Sequence, residues 1–164
     1  PLMPTPAQSF YLEIDNACNA ASVPGDEKFL CWFTSALAGL RTRAELAIRI
    51  VDEAESAALN AQYRNKNVAT NVLSFPSDLP EDCEPPLIGD LAICAAVVER
   101  EAKAQHKALE AHWAHMVIHG SLHLLGFDHV DEDEAESMET REIAILQALG
   151  FANPYVTEEH NHHE

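Results

Sequence analysis

The chain is short of positive charge. Its 10 lysines and arginines stand against 27 aspartates and glutamates, for a formal net charge of −17. Phosphate contacts depend on Lys and Arg, so this balance excludes a general nucleic-acid coat protein. No apolar run approaches the ~20 residues that a helix needs to span a bilayer. The opening stretch PLMPTPAQSF lacks the charged and apolar segments of a secretory signal. We therefore expect a cytoplasmic protein without a membrane anchor.

Cysteines are few and are not arranged in a metal or redox motif. No two of them form a C-x-x-C pair, which argues against a zinc ribbon or a thioredoxin-like site. We expect them to be reduced and without a metal or disulfide role, as is usual in the cytoplasm. The four residues are Cys18, Cys31, Cys83 and Cys94.

Hydrophobic patterning predicts strands and helices in alternation. Short apolar runs favour strands over 9–15, 45–52, 71–78 and 87–95, and Pro76 makes the third an edge strand or a strand end. Helical spacing predicts helices over 24–40, 52–64, 95–109, 110–125 and 131–150. A hydrophobic fraction of 47% in 164 residues suffices for one core. The pattern predicts a single α/β or α+β domain over residues 1–155, and a flexible His/Glu-rich tail over 156–164.

Three histidines in the segment HGSLHLLGFDH, residues 119–129, have the spacing of metal ligands. His119 and His123 lie one helical turn apart on the same face, so both imidazoles can bind one ion with Zn–N near ~2.1 Å. In a continued helix His129 would lie about 9 Å beyond His123, too far for the same ion. The helix must therefore end between them, and Gly126 suits the left-handed turn that closes a helix. The spacing and the glycine together predict one zinc ion held by His119, His123 and His129.

Three protein ligands leave one coordination position for water, which is typical of catalytic rather than structural zinc. Hydrolysis is therefore the favoured chemistry. Asp128 is either a carboxylate partner of a ligand or an ordinary turn residue. His115, like His112, is expected to support the site or to lie on the surface. We expect only adventitious metal binding by the tail histidines, which are His160, His162 and His163.

A zinc peptidase carries a glutamate directly after its first histidine ligand, as the base. Here that position is Gly120. Amide hydrolysis needs a proton delivered to a poor leaving group. Charge developing on phosphoryl oxygens is instead stabilised directly by a metal and a guanidinium. The glycine therefore favours a phosphodiester substrate, and a zinc peptidase with a displaced base stays as an alternative.

Three blocks of the sequence resemble the YbeY family of bacterial ribosomal-RNA maturation endoribonucleases. The family pattern H-G-x-L-H-L-x-G-[YF]-D-H is met at every position over 119–129. The segment LNAQYRNKNVATNVLSFP, 59–76, resembles the family stretch in which a functional arginine precedes T-[DN]-V-L-S-F-P. The segment IGDLAIC, 88–94, resembles its G-D-[IL]-x-I strand. The resemblance covers about residues 40 to 155.

The resemblance implies a metal-dependent endoribonuclease directed at single strands. It implies action in maturation of the 3′ end of small-subunit ribosomal RNA and in ribosome quality control, with ribosomal or assembly proteins as partners. It implies an α+β fold with one four-stranded mixed sheet, zinc on the three histidines, and Arg64 as the functional arginine. The planar fork of Arg64 would bind a phosphate, whereas without the family match a surface salt bridge is the default. His115 and Asp128 are candidate proton-transfer groups. A non-catalytic, metal-stabilised ribosome assembly factor is the second hypothesis.

The positive charges that are present are concentrated in the first part of the chain. We predict that they line the RNA entrance, and that the acidic helix after residue 131 faces away from it. The residues in question are Arg41, Arg43, Arg49, Arg64 and Lys66.

Overall fold

The structure, a computed structural model, describes residues 9–78, 86–127 and 132–155. They form four strands and five helices and confirm the predicted α+β class with one mixed sheet. Within these ranges none of the helices is long and apolar enough to cross a bilayer. The predicted tail over 156–164 lies outside the described residues. The elements are β1 (Ser9–Asn16), α1 (Asp26–Leu37), β2 (Arg43–Val51), α2 (Glu53–Arg64), β3 (Val72–Pro76), β4 (Leu87–Cys94), α3 (Ala95–Ala104), α4 (Leu109–Leu124) and α5 (Glu132–Ala148).

The sheet has the strand order β1-β2-β4-β3. Strands β1, β2 and β4 are parallel, and β3 runs antiparallel to β4 at one edge. This confirms the prediction of an edge strand that ends at Pro76. A proline has no backbone N–H for a ladder, so the end of an edge strand is one of the few places where a sheet accepts it.

The two faces of the sheet have different coverings. Leu46, Ile48 and Ile50 alternate along β2, are buried, and pack with α1 and α4 in the main core. Ala47 and Arg49 point to the opposite face, where they line a groove together with side chains of α2. This groove has a volume of about 720 Å³ and an acidic rim. The rim consists of Glu13, Asp15, Glu55, Asp78 and Asp90.

Helix α4 lies at the centre of the molecule. It packs against α1, α3, α5, β3 and β4, and ten of its sixteen residues are buried. On its apolar side Trp113 meets Phe29 of α1 edge-to-face, with ring centroids 5.7 Å apart. The opposite side carries polar residues that face α3 and α5. A helix surrounded in this way has a fixed position relative to the sheet, and so have the side chains along it.

Candidate metal centre

Four histidines follow one another along the polar side of α4. Neighbouring rings are close: His112 and His115 have centroids 6.1 Å apart, His115 and His119 5.9 Å, and His119 and His123 4.7 Å. The spacing of three or four residues repeats the helical period, which keeps the rings on one side. His112 and His115 are buried, whereas His119 and His123 are partly exposed. The row therefore runs from the interior towards solvent.

Glu142 of α5 is the centre of a buried hydrogen-bond cluster at the middle of this row. Its side chain is fully buried. One carboxylate oxygen contacts Nδ1 of His119, and the other contacts Nε2 of His115 at 3.3 Å and the hydroxyl of Tyr155. Burial alone would raise the pKa of Glu142, but the hydrogen bonds from these three groups outweigh it and lower the pKa to about 2. The carboxylate is therefore ionised at neutral pH and accepts from all three donors.

Burial and the Glu142 carboxylate also shift the pKa of two of the donors, His115 and Tyr155. Burial lowers the pKa of His115, and the nearby Glu142 carboxylate opposes this only in part. Burial and the carboxylate together raise the pKa of Tyr155. His115 is thus a neutral imidazole at neutral pH, and its Nε2 carries the proton that it donates.

A second histidine–carboxylate pair lies on the interior side of this cluster. Nε2 of His112 and the carboxylate of Glu101 on α3 are 2.8 Å apart, and the Asn71 amide donates to the same carboxylate at 3.1 and 3.3 Å. Burial would raise the pKa of Glu101, but these two hydrogen bonds outweigh it and lower the pKa. His112 and His115 are both buried, so a surface role is wrong for both, and their supporting role stays a prediction.

The helix ends where the ligand spacing requires it. Helix α4 stops at Leu124, and Gly126 has φ +106°, in the left-handed region. The N–H of Gly126 donates to the carbonyl of His123 at 3.0 Å, and that of Phe127 donates to Leu122 at 3.1 Å. This pair of bonds is the Schellman closure. The predicted end of the metal-binding helix at a glycine turn is confirmed.

The structure brings two of the three predicted ligands together. His119 and His123 are adjacent at the exposed end of the row, while His129 and its neighbour Asp128 lie outside the described residues. Because Nδ1 of His119 is engaged by Glu142, His119 can offer a metal only Nε2. A histidine that hydrogen-bonds a carboxylate through one nitrogen and binds metal through the other is common at zinc sites. The residues present therefore fit a zinc ion, and the ligand set with His129 stays a prediction.

An alternative set of metal ligands overlaps with this one. His115, His119 and Glu142 offer ligand atoms within 4.8 Å of one another. An ion bound by all three side chains would displace the hydrogen bonds that now join them. The cluster is thus a potential metal site whose donors are already occupied by one another.

Glu142 and Tyr155 were not found from the sequence. Glu142 contacts His119 from the acidic helix α5, and the prediction that this helix faces away from the RNA entrance stays a prediction. A signal was present, since Met138, Glu142 and Leu146 share one helical face and all three are buried. A glutamate on an apolar helix face is an unusual residue that needs a buried partner.

Gly120 points away from the histidine row. A Cβ at this position would lie 2.7 Å from Cδ2 and 3.0 Å from Cδ1 of Leu91 on β4. Both residues are buried, so position 120 is part of the contact between α4 and the sheet. A glutamate side chain there would enter the core rather than reach the metal. The missing peptidase glutamate therefore has a packing cause.

Arg64 is the last residue of α2. Asn65 follows in the left-handed conformation with φ 59°, and its N–H donates to the carbonyl of Ala61. Asn60 donates to Val68 at 2.8 Å and holds the next turn of the chain. Arg64 is exposed and, within the part of the chain that the structure describes, forms no ion pair. The default expectation of a helix-surface salt bridge is not met by these residues.

The remaining basic residues do not form one surface. Arg41 and Arg43 line a cavity of about 250 Å³ together with Leu124, at the end of α4 where the metal is predicted. Arg49 lies six residues along β2 from Arg43, about 20 Å away. It is paired with Asp15 and Glu55, both at 2.7 Å. Arg49 therefore lies apart from Arg41 and Arg43 and is paired with acids, and the RNA entrance stays a prediction.

Two comparisons with known proteins bear on this arrangement. A family described as "Endoribonuclease YbeY" matches residues 13–150, a range that contains the histidine row, Arg64 and Glu142. The solution structure of TM1509 from Thermotoga maritima is similar in fold, with a TM-score of 0.54 and 22% sequence identity. That similarity covers 88% of this chain and 99% of the other.

Proposed function

This chain belongs to the YbeY endoribonuclease family, and from this premise we propose that it is a zinc-dependent endoribonuclease directed at single-stranded RNA. The observation that supports zinc binding is the pair of His119 and His123 at the end of α4, in which Nδ1 of His119 is hydrogen-bonded to Glu142. The proposed third ligand is His129. When bound, the zinc ion supplies a Lewis acid for hydrolysis of a phosphodiester.

Residues of the protein itself support binding of a substrate phosphate and argue against a peptide substrate. Arg64 is exposed at the end of α2, and its neighbour Tyr63 packs on Phe75 of β3 with ring centroids 5.0 Å apart. Strand β3 in turn packs against α4. This continuity supports a role for the Arg64 guanidinium in binding a substrate phosphate through its planar fork. Position 120 faces Leu91, which argues against a peptidase that uses a glutamate at this point.

The finer parts of the proposal follow from family membership. We propose that the substrate is ribosomal RNA, that the reaction serves maturation of the small-subunit 3′ end and ribosome quality control, and that the enzyme acts in the cytoplasm. Ribosomal or assembly proteins are the proposed partners. A net charge of −17 supports this dependence on partners, because an acidic protein binds RNA weakly by itself.

The test is RNA cleavage by purified, zinc-loaded protein, compared with His123→Ala, Arg64→Ala and the matched control Arg100→Ala. Arg100 is an exposed arginine on α3 that pairs with Glu53 at 3.3 Å. We expect His123→Ala to abolish cleavage and Arg64→Ala to reduce it by about 10²-fold, while Arg100→Ala stays near wild type. Equal cleavage by all four proteins would identify a contaminating nuclease and refute the proposal. Bound zinc without any RNA cleavage would instead favour the second hypothesis, a non-catalytic, metal-stabilised ribosome assembly factor.

A further inference from the structure

We propose that Glu142 is a positioning residue for the metal ligand His119, with Tyr155 as its support. Glu142 keeps the proton of His119 on Nδ1, so that Nε2 is the nitrogen presented to the metal. The inference rests on the proposed metal site, and it adds a residue from α5 to a site whose predicted ligands come from α4 and the chain that follows it. It concerns metal affinity and not the cleavage step.

The placement of Glu142 is fixed by packing. Met138 and Leu146, one turn before and after it on the same face of α5, are 0% and 1% exposed. Moving the carboxylate away would expose these apolar side chains or leave an ionised group buried without partners, which is strongly destabilising. The fold therefore holds the carboxylate at His119 whether or not a metal is present.

The hydrogen bonds of Glu142 favour positioning over direct ligation. One oxygen is taken by Nδ1 of His119, and the other accepts from His115 and from Tyr155. An ion bound by the carboxylate itself would have to displace these donors from a side chain that is fully buried. A carboxylate that accepts a hydrogen bond from Nδ1–H on the far side of the imidazole instead raises the basicity of the ring and fixes its orientation, which strengthens a metal bond at Nε2.

Tyr155 extends the cluster to the C-terminal segment. The turn at Asn153 holds Tyr155 in position, because the Asn153 side chain accepts a hydrogen bond from the backbone N–H of Tyr155 at 2.8 Å. Phe151 packs on Trp32 of α1, with ring centroids 6.4 Å apart, and holds the start of this segment. The tyrosine hydroxyl is thus a third donor, from outside helices α4 and α5, that keeps the Glu142 carboxylate in place.

The neighbouring pair of His112 and Glu101 provides a matched control. It is also a histidine–carboxylate contact between α4 and another helix, at 2.8 Å, with the imidazole buried and the carboxylate partly exposed. Among the described residues, the Glu101 carboxylate accepts from Asn71 and contacts His112, on the interior side of His115. Glu101→Gln therefore perturbs a similar interaction with a similar structural role, but it leaves the proposed metal ligands alone.

The experiment measures zinc affinity of the metal-free protein by competition with a chromophoric chelator, without RNA. Glu142→Gln, Tyr155→Phe, Glu101→Gln and His123→Ala are compared with wild type, and circular dichroism checks that each is folded. We expect Glu142→Gln to weaken zinc binding by about 10- to 100-fold. Tyr155→Phe should weaken it by about 2- to 10-fold, because it removes one of three donors. Glu101→Gln should stay within about 2-fold of wild type.

Cobalt substitution supplies a second readout. The visible absorption of bound Co²⁺ reports the geometry of its ligands, and we expect it to change in Glu142→Gln but not in Glu101→Gln. Wild-type zinc affinity in folded Glu142→Gln would overturn the inference. Full affinity in His123→Ala would also overturn it, because Glu142 would then be a ligand of the alternative set. If Glu142→Gln does not fold, the zinc affinity of Tyr155→Phe decides the question. An unchanged zinc affinity in Tyr155→Phe would then refute the positioning of His119 by this cluster. Loss of RNA cleavage alone bears only on the proposed function.

Discussion

Gly120→Ala tests the packing explanation for the absence of the peptidase glutamate. The new Cβ would meet Cδ2 of Leu91 at 2.7 Å and Cδ1 at 3.0 Å, closer than normal packing allows. Overpacking of this kind costs about 1–3 kcal/mol, and alanine recovers about 1 kcal/mol through its higher helix propensity. We expect a net loss of about 0–2 kcal/mol of folding free energy. Gly120→Glu would bury a carboxylate against Leu91, and this variant should not fold.

A double-mutant cycle with Leu91→Val separates the clash from other effects. Valine removes the reach of the leucine methyl groups, and by itself it costs about 0.5–1.5 kcal/mol. If Leu91 is the cause of the clash, the double variant should be more stable than the sum of the two single losses by about 1 kcal/mol or more. Urea denaturation of the metal-free proteins, followed by circular dichroism, measures all four free energies. Strict additivity of the two substitutions would refute the close contact between α4 and β4.

Two further predictions concern the metal centre. The pKa of Glu142 is lowered from an ordinary 4.5 to about 2, so its contribution of about 3 kcal/mol is complete above pH 4.5 and is lost as the pH falls towards 2. The stability gap between metal-free wild type and Glu142→Gln in urea should therefore narrow over this range, and a constant gap would contradict the assignment. Gly126→Ala forces a side chain into φ +106° and should destabilise the end of α4 by about 1 kcal/mol. Zinc affinity should fall with it, whereas equal affinity would mean that the turn does not position the ligands.

The periodicity of the sequence was sufficient to predict the strands and helices, and the ligand spacing was sufficient to predict the end of α4. Strand alternation and helical spacing are local properties, so they identified four strands and five helices with boundaries close to those observed. The turn at Gly126 followed from ligand geometry, since His129 can bind the same ion as His119 and His123 only if the helix ends before it. The pairing of the strands depends on contacts between distant segments, so the prediction of one four-stranded mixed sheet came from the family resemblance, and the strand order was not predicted.

Residues that act through distant contacts were the ones that periodicity did not identify. Glu142 stands among many acids in α5, and only its position between the buried Met138 and Leu146 separates it from the solvated ones. Arg49 was grouped with nearby basic residues, but it lies six residues beyond Arg43 along the nine-residue strand β2, where it pairs with Asp15 and Glu55. Charge composition gives the number of such groups and not their partners, which only the tertiary structure supplies.

The central position of α4 has a consequence for the order of folding and metal binding. In a zinc finger the ligands belong to segments that are unfolded until the ion binds, so the binding free energy is also the folding free energy. Here His119 and His123 belong to α4, whose own Trp113 packs on Phe29 of α1 and whose apolar side packs on the sheet. The hydrophobic core therefore organises these two imidazoles in advance, and little of the ion's binding energy is needed to order them.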